Sequence, residues 1–351
     1  MLTVSSRVLS LSAEAALLVR AGRIVYANAR AEALIGFDCI GKTPREIFGD
    51  EIAEAQARVF TADTDYSGKT LNVRTARLDD MQAFFLSEVG PVPTPISEAF
   101  LYAMRSELMN QRLALELCRT RCGELGDGEL EGGLRSLQRS SFAVTRLVEN
   151  ASVVRSAAAG ELTAGLAALD LSVLCRTIVD SVSLLRPDVR FRLFAENGLC
   201  LLGDRMLLAQ LILNLISNCL IHAEGLTQVT LRITPTPTQL ILSVSDDGCG
   251  ISEEAMGGVF ERYRESFSLS DLGRGAGLGL SVVRAIARVH GGTLLLESRA
   301  GSGTSARVSL ARRVAPSALG AAAEESADMG ALLVALSGCL DPECFDGKYL
   351  D

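Results

Sequence analysis

Two carboxylates stand beside glycines in the stretch "VSDDGCGI" at residues 244–251. Asp246 follows an apolar run that predicts a strand, and Gly248 and Gly250 allow the backbone to bend close to a ligand. An Asp in a turn is usually structural, so this stretch indicates a binding turn only in combination with other motifs.

A row of polar side chains marks a second segment, "LAQLILNLISNCLIHA" at residues 208–223. Asn214, Asn218 and His222 recur every four residues and therefore share one face of a predicted helix. The other positions are mostly apolar, which predicts a buried helix. Buried amides are costly unless they bind something polar, so the row indicates a polar ligand.

Two further motifs follow in the chain. "FERYRE" at residues 260–265 places one aromatic side chain before two arginines, and "GRGAGLGLS" at residues 273–281 is a glycine-rich loop that enters an amphipathic helix. Such a loop suits phosphate, which loop amides and a helix N-terminus can hold. A strand hairpin through "GSGTSARVSL" at residues 301–310 closes the region. Each motif alone is weak, but four in this order form a strong pattern.

Residues 168–313 resemble the ATP-binding domain shared by sensor histidine kinases, gyrase-type topoisomerases, Hsp90-type chaperones and mismatch-repair ATPases. The resemblance implies an α/β-sandwich that binds ATP and Mg²⁺. It implies that Asp246 accepts a hydrogen bond from the adenine amino group and that Gly250 packs under the ring. It further implies that Asn218 coordinates Mg²⁺, with Asn214 as a second candidate ligand.

The same resemblance implies a mobile lid over the phosphates. Gly275, Gly277 and Gly279 would form its hinge and present amides to phosphate, and Arg262 or Arg264 would neutralise charge on the γ-phosphate. It extends the expected nucleotide contacts to Gly248, Phe260, Leu278 and Thr304.

One position separates the relatives from each other. The water-hydrolysing members carry a Glu four residues before the metal-binding Asn, and here that position is Asn214. An amide cannot accept a proton as a general base does, so the sequence favours the kinase branch.

The N-terminal segment, residues 1–92, resembles the opening of a PAS sensor domain; the alternative is a small α/β domain used only for dimer contacts. The proline-rich "GPVPTP" at residues 90–95 predicts a linker after it. The resemblance depends on a strand-turn followed by short helices, with Gly22, Ile24, Asn28, Ala31, Leu34 and Gly36 on the family pattern.

Residues 96–159 show apolar side chains at alternating steps of three and four, which is an a/d seam. Two seamed segments around a glycine-rich turn predict an antiparallel helical hairpin that dimerises into a four-helix bundle. The alternative is a packed helix pair inside one larger domain. The seam residues are Leu101, Met104, Leu108, Leu115, Cys118, Cys122 and Leu125, then Leu134, Leu137, Val144, Val148 and Ala151.

A PAS-like segment, a hairpin and an ATP-binding domain in this order are the layout of a cytoplasmic sensor histidine kinase. In that family the first hairpin helix carries a phosphoaccepting His before Glu and Leu. Here "AMRSELMNQRL" at residues 103–113 places Ser106 at that position, on the outward face of the predicted helix. The two histidines of the chain, His222 and His290, both fall within the ATP-binding region. A serine hydroxyl lacks the basic lone pair of imidazole.

Three functions follow from this substitution. In the first hypothesis, the chain is a degenerate histidine kinase that binds ATP and regulates a partner, such as a response regulator. Alternatively it is a kinase with a changed acceptor, either Ser106 or a residue of another protein, as in anti-sigma-type serine kinases. The third hypothesis is a non-enzymatic interaction module.

Composition bounds these hypotheses. A net charge of −8 argues against a nucleic-acid partner, and we find no run of about 18 apolar residues that would span a membrane. Nine cysteines without a CxxC pair favour reduced thiols and a cytoplasmic protein. Residues 314–351 form an Ala-rich tether and a tail, "GCLDPECFDGKYLD", that is either a docking peptide or a short capping helix.

Overall fold

The computed structural model describes residues 14–35, 39–49, 52, 60–66, 69–78, 81–88, 97–125, 128–252, 278–312 and 328–345. The N-terminal strands form an antiparallel sheet in the order β2-β1-β5-β4-β3, and two short helices follow its second strand. The elements are β1 (Ala15–Arg20), β2 (Arg23–Ala27), α1 (Ala29–Ile35), α2 (Pro44–Phe48), β3 (Phe60–Tyr66), β4 (Lys69–Leu78) and β5 (Met81–Glu88).

Asn28 joins the first strand to helix α1. Its Oδ1 accepts hydrogen bonds from the backbone N–H groups of Ala16 at 3.0 Å and Ala31 at 2.9 Å, and its Nδ2 donates to the carbonyl of Glu14 at 2.8 Å. The side chain is buried, so these bonds satisfy an amide that would otherwise be costly to bury. This explains why an Asn stands at one of the positions that carry the PAS resemblance. Gly36, another of those positions, lies outside the described residues.

The helical hairpin consists of α3 (Glu98–Leu125) and α4 (Gly128–Ala158). The seam expected from the sequence is buried at one end, where Leu101 and Leu108 of α3 meet Val148 of α4. Farther along the burial is uneven: Cys122 is buried, whereas Cys118 and Leu137 are exposed. Leu278, from the ATP-binding region, completes the cluster at the first end.

The ATP-binding region contributes the strand order β11-β12-β10-β9-β7 and a separate pair, β6 and β8. Helices and strands share one continuous hydrophobic core. Asp170 and Asp204 cap the first two helices of the region through backbone N–H groups. The elements are β6 (Ala167–Asp170), α5 (Leu171–Leu185), β7 (Arg190–Phe194), β8 (Cys200–Gly203), α6 (Arg205–His222), β9 (Gln228–Pro235), β10 (Gln239–Asp246), α7 (Gly279–Val289), β11 (Leu294–Ser298) and β12 (Thr304–Ala311).

The two sheets are continuous. Strand β3 pairs antiparallel with β11, so the described strands of both regions, other than the pair β6 and β8, form one ten-stranded sheet. Leu295 of β11 is buried in the hydrophobic core of the N-terminal region. The N-terminal sheet therefore covers an edge of the ATP-binding region that would otherwise expose backbone N–H and C=O groups.

Helix α6 is the one described helix whose length and hydropathy would suffice to cross a membrane. Half of its residues are buried inside the protein. Leu208, Leu211 and Ile212 are fully buried in the shared core, as expected for the core helix of a folded domain.

The C-terminal residues 328–345 pack against the hairpin and the ATP-binding region. They form α8 (Met329–Leu336) and a 3₁₀ turn (Pro342–Phe345). The ring of Phe345 lies 5.7 Å from the ring of Phe142 on α4, and both side chains are fully buried. The described part of the tail, up to Phe345, therefore packs against the folded protein through a 3₁₀ turn.

Removing the Phe345 ring tests how much this contact stabilises the protein. We expect Phe345→Ala to lower the free energy of unfolding by about 3–5 kcal/mol, because it leaves a cavity against Phe142. Denaturant unfolding measures the effect. Leu184→Ala is the control: Leu184 is 73% exposed, and its truncation should change stability by less than about 0.5 kcal/mol. Equal effects of the two substitutions would contradict the packing described.

Candidate functional site

Asp246 ends strand β10 and is held in place by backbone amides. Its Oδ1 accepts hydrogen bonds from the N–H groups of Gly248 at 3.1 Å and Thr304 at 3.2 Å. Burial raises the pKa of Asp246, while these two bonds and one from the Cys219 thiol act in the opposite direction. The carboxyl group therefore has a fixed orientation and still offers acceptor capacity to a ligand. Cys219 was not indicated by the sequence motifs.

The neighbouring carboxylate, Asp247, has a different task. Its Oδ1 accepts the backbone N–H groups of Thr227 and Gln228, each at 2.9 Å, and its Oδ2 accepts the Thr227 hydroxyl. The small desolvation of Asp247 acts to raise its pKa, but these hydrogen bonds prevail and lower it. Asp247 thus ties the turn to the start of β9, which leaves Asp246 as the candidate carboxylate for ligand recognition.

The glycines of the turn are required by contacts within the protein. A Cβ at Gly250 would stand 2.1 Å from the carbonyl oxygen of Arg299, and one at Gly303 would stand 2.0 Å from the carbonyl oxygen of Asp246. A Cβ at Gly248 would come within 2.5 Å of the residue that follows α6. The sequence suggested that Gly248 and Gly250 make room for a ligand. In the structure the close approach is between backbone segments.

The amide row on α6 meets the first residue of α7. A Cβ at Gly279 would lie 3.3 Å from Oδ1 of Asn214 and 3.1 Å from Oδ1 of Asn218. Asn214 is buried: its Nδ2 donates to the carbonyl of Gln210 at 2.9 Å, and its Oδ1 accepts from Nδ2 of Asn150 at 3.2 Å. Asn218 is partly exposed. The structure therefore brings both amide oxygens to one point.

These groups fit a magnesium ion and phosphates. Mg²⁺ prefers oxygen ligands, and the oxygens of Asn214 and Asn218 converge beside a residue without a side chain. The first turn of α7 adds backbone N–H groups that lack intrahelical partners. It also holds the Ser281 hydroxyl, which is buried and has no hydrogen-bond partner in the described parts of the chain. A phosphate at this helix N-terminus would satisfy the free backbone N–H groups.

Other predicted site residues are placed as follows. Thr304 faces Asp246 through its backbone N–H, while its hydroxyl lies 2.9 Å from the Ser298 hydroxyl. Leu278 packs into the hairpin, and Ser106 is exposed on α3. Five predicted residues lie outside the described stretches: Phe260, Arg262, Arg264, Gly275 and Gly277.

Comparison with known proteins agrees with this geometry. Residues 203–314 match the family described as histidine kinase-, DNA gyrase B-, and HSP90-like ATPase. Histidine protein kinase DivJ of Caulobacter vibrioides is 41% identical over 114 residues, which cover 32% of this chain and 19% of DivJ. The probable sensor histidine kinase TcrY of Mycobacterium tuberculosis is 33% identical over 161 residues, which cover 45% of this chain and 34% of TcrY.

Among solved structures, histidine kinase ThkA in complex with response regulator protein TrrA aligns with 88% of this chain and 98% of that chain, at 20% identity and a TM-score of 0.38. The chain spans about a fifth to a third of the length of the two curated relatives named above. The chain therefore contains a histidine kinase-like ATPase domain whose relatives include sensor histidine kinases.

Substitutions at two glycines of the last motif distinguish the cost of backbone strain from the cost of steric overlap. Gly301 and Gly303 both have positive φ, at 74° and 81°, but a Cβ at Gly301 would meet no atom within 4 Å. We expect Gly301→Ala to destabilise the protein by about 1–2 kcal/mol, from strain alone. Gly303→Ala should cost about 1–3 kcal/mol more, because its Cβ overlaps the Asp246 carbonyl. Thermal unfolding measures both variants, and equal costs would contradict the close approach.

Proposed function

We propose that this protein is a sensor histidine kinase-like, ATP-binding signalling protein that regulates a partner without phosphorylating itself on histidine. The observation that carries the proposal is the pairing of two features in the ATPase domain. Asp246 is fixed by two amides at the end of β10, and two amide oxygens converge at the start of α7. The first feature suits the adenine ring of ATP, and the second suits its phosphates with Mg²⁺.

Each residue has a defined task in this proposal. Asp246 accepts a hydrogen bond from the adenine amino group. The backbone N–H groups of Gly248 and Thr304 hold its carboxyl group in a fixed orientation. Asn218, with Asn214 beside it, supplies oxygen to Mg²⁺, which neutralises phosphate charge when bound. The first turn of α7 offers N–H groups to phosphate. By the resemblance alone, Arg262 or Arg264 of the "FERYRE" motif would neutralise charge on the γ-phosphate.

The histidines of the chain support the absence of histidine phosphorylation. His290 is buried: its Nε2 accepts the backbone N–H of Asp204 at 3.0 Å, and its Nδ1 donates to the carbonyl of Ile286 at 2.8 Å. Both ring nitrogens are therefore engaged in packing the domain. His222 ends α6, so neither histidine of the sequence lies on the hairpin.

A kinase with a changed acceptor remains the second candidate. In the single chain Ser106 lies exposed on α3, at the position that resembles the histidine site. A serine phosphate would be an ester and, unlike phosphohistidine, a poor donor to an aspartate. The two candidates differ in whether label from ATP reaches the protein.

The remaining parts of the proposal concern sensing and location. We propose that the N-terminal sheet is a PAS-like sensor domain, because its strand-turn, its capped helix α1 and the buried Asn28 follow the pattern seen in the sequence. None of the nine cysteines, all of which lie in the described part of the chain, forms a disulfide, which supports a cytoplasmic, reducing location. We further propose that a response regulator or another signalling protein is the partner.

An apolar row on the hairpin supports a homodimer. In the single chain, large apolar side chains stay exposed on both hairpin helices, and those on α4 recur every seven residues. Such a row is costly in water and is typical of helices that pack against a second copy. Its members are Tyr102, Met109, Leu113 and Leu117 on α3, and Leu130, Leu137 and Val144 on α4.

Charged residues in this row should separate the copies. We expect wild type to have the mass of a dimer and the double variant Leu113→Asp, Leu137→Asp to have that of a monomer, because each aspartate would be desolvated in a four-helix bundle. Analytical ultracentrifugation gives the mass. Leu184→Asp, on an exposed position of α5, is the matched control and should stay dimeric. A monomeric wild type would contradict the homodimer.

Nucleotide binding tests the proposed function directly. We expect wild type to bind a fluorescent ATP analogue in Mg²⁺ and Asp246→Asn to bind it at least about tenfold more weakly, since loss of a hydrogen bond to a charged acceptor costs about 1.5–3 kcal/mol. Thermal unfolding should show that Asp246→Asn is folded, because an amide oxygen can still accept the Gly248 and Thr304 N–H groups. A wild type that binds no nucleotide would refute the proposal.

Incubation with γ-labelled ATP separates the two candidates. The ATP-binding regulator predicts no covalent label on wild type. Acid-stable label on wild type that disappears in Ser106→Ala would instead establish the serine kinase.

A further inference from the structure

The hairpin contributes a polar side chain to the candidate nucleotide site. Asn150 lies on α4, outside the ATPase domain, and only 3% of its surface is exposed. Its Nδ2 donates to Oδ1 of Asn214 at 3.2 Å, and its Oδ1 accepts from Nε2 of Gln210 at 3.1 Å. No sequence motif pointed to Asn150.

The three amides form a closed network. Nδ2 of Asn214 donates to the Gln210 carbonyl, and its Oδ1 accepts from Asn150. A rotation that exchanged the amide nitrogen and oxygen of Asn214 would therefore break both hydrogen bonds. A buried polar network with all its members partnered holds one geometry, because rotation would leave a buried group unsatisfied. The network therefore sets the direction of the Asn214 oxygen.

That direction is toward the start of α7. Oδ1 of Asn214 and Oδ1 of Asn218 lie 3.3 and 3.1 Å from the point that a Gly279 side chain would occupy. Within the described residues, Asn218 accepts no hydrogen bond from α4. Asn150 thus acts on one of the two oxygens and on that one alone.

A second polar contact and the C-terminal segment hold α4 in this place. Arg146, one turn before Asn150, donates through Nη1 to the Ser217 hydroxyl at 3.1 Å and to the Ala335 carbonyl of α8 at 3.2 Å. The Phe142–Phe345 contact lies on the same helix. Asn150 consequently reaches Asn214 from a helix that is fixed at several points.

We propose that Asn150 is a positioning residue of the nucleotide site, which orients the Asn214 oxygen for Mg²⁺ from the hairpin. The inference rests on the proposed function. Partners of metal ligands orient the ligand and typically change metal affinity by about 10–100-fold when removed. Because such coupling is reciprocal, a nucleotide whose binding uses Asn214 also stabilises the position in which α4 contacts α6. ATP binding and hairpin position are therefore coupled through one amide pair.

The test is equilibrium binding of a fluorescent ATP analogue to the full chain, in Mg²⁺ and in EDTA. Asn150→Ala should bind the analogue roughly tenfold more weakly than wild type in Mg²⁺ and about equally in EDTA, because Asn150 acts through a metal ligand. In an Asn214→Ala background, Asn150→Ala should add nothing further. Thermal unfolding checks each variant, and Asn150→Ser replaces Asn150→Ala if the latter does not fold.

Arg146→Met is the matched control. It removes the neighbouring polar contact between the same two helices without touching Asn214, so the ratio of affinities in Mg²⁺ and EDTA should stay at the wild-type value. Equal losses in Mg²⁺ and EDTA for Asn150→Ala would reduce Asn150 to a structural role. Unchanged or tighter binding in Mg²⁺ would also overturn the inference. A wild type that binds the analogue in neither condition refutes the proposed function itself, which is a different result.

Discussion

The structure depends on one requirement, that the polar side chains of a core helix find partners. Helix α6 carries Asn214 and Ser217 among fully buried apolar residues, and an unpartnered amide or hydroxyl there would cost free energy. The partners come from the hairpin, where Asn150 bonds Asn214 and Arg146 bonds Ser217. Satisfying the helix therefore fixes the hairpin against the ATPase domain, and the C-terminal segment packs over the same contact.

The binding turn shows how environment divides the work of two adjacent carboxylates. Asp246 is desolvated, which raises its pKa, whereas hydrogen bonds from the start of β9 lower the pKa of Asp247. In the proposed function the first recognises adenine, whereas the second stabilises the turn. Close backbone contacts at Gly250 and Gly303 bring β10, β11 and β12 together at this point, so Asp246 sits on a rigid base.

A set of contacts between distant residues links the parts of the chain. The N-terminal sheet pairs with β11, the end of the glycine loop packs into the hairpin through Leu278, and Asn150 meets Asn214. In the regulator proposed above, these contacts are the routes by which a change of shape on ATP binding would reach a partner.

The sequence by itself determined the ATPase domain, because its signals are local. Periodicity placed the amide row on one helical face, an apolar run ended at Asp246, and glycines marked the turns. That residue 106 is a serine is likewise a fact of the sequence, whereas its place at a phosphoacceptor position comes from the resemblance. The partners that these residues acquire were not predictable from it.

Only the tertiary structure decided that the glycines of the turn serve backbone contacts, that Asn150 reaches Asn214 across 64 positions of sequence, and that β3 pairs with β11. It also gave the C-terminal segment its place against Phe142. The physical reason is that such contacts join residues far apart in the chain, and a periodic pattern records which face is buried but not what covers it.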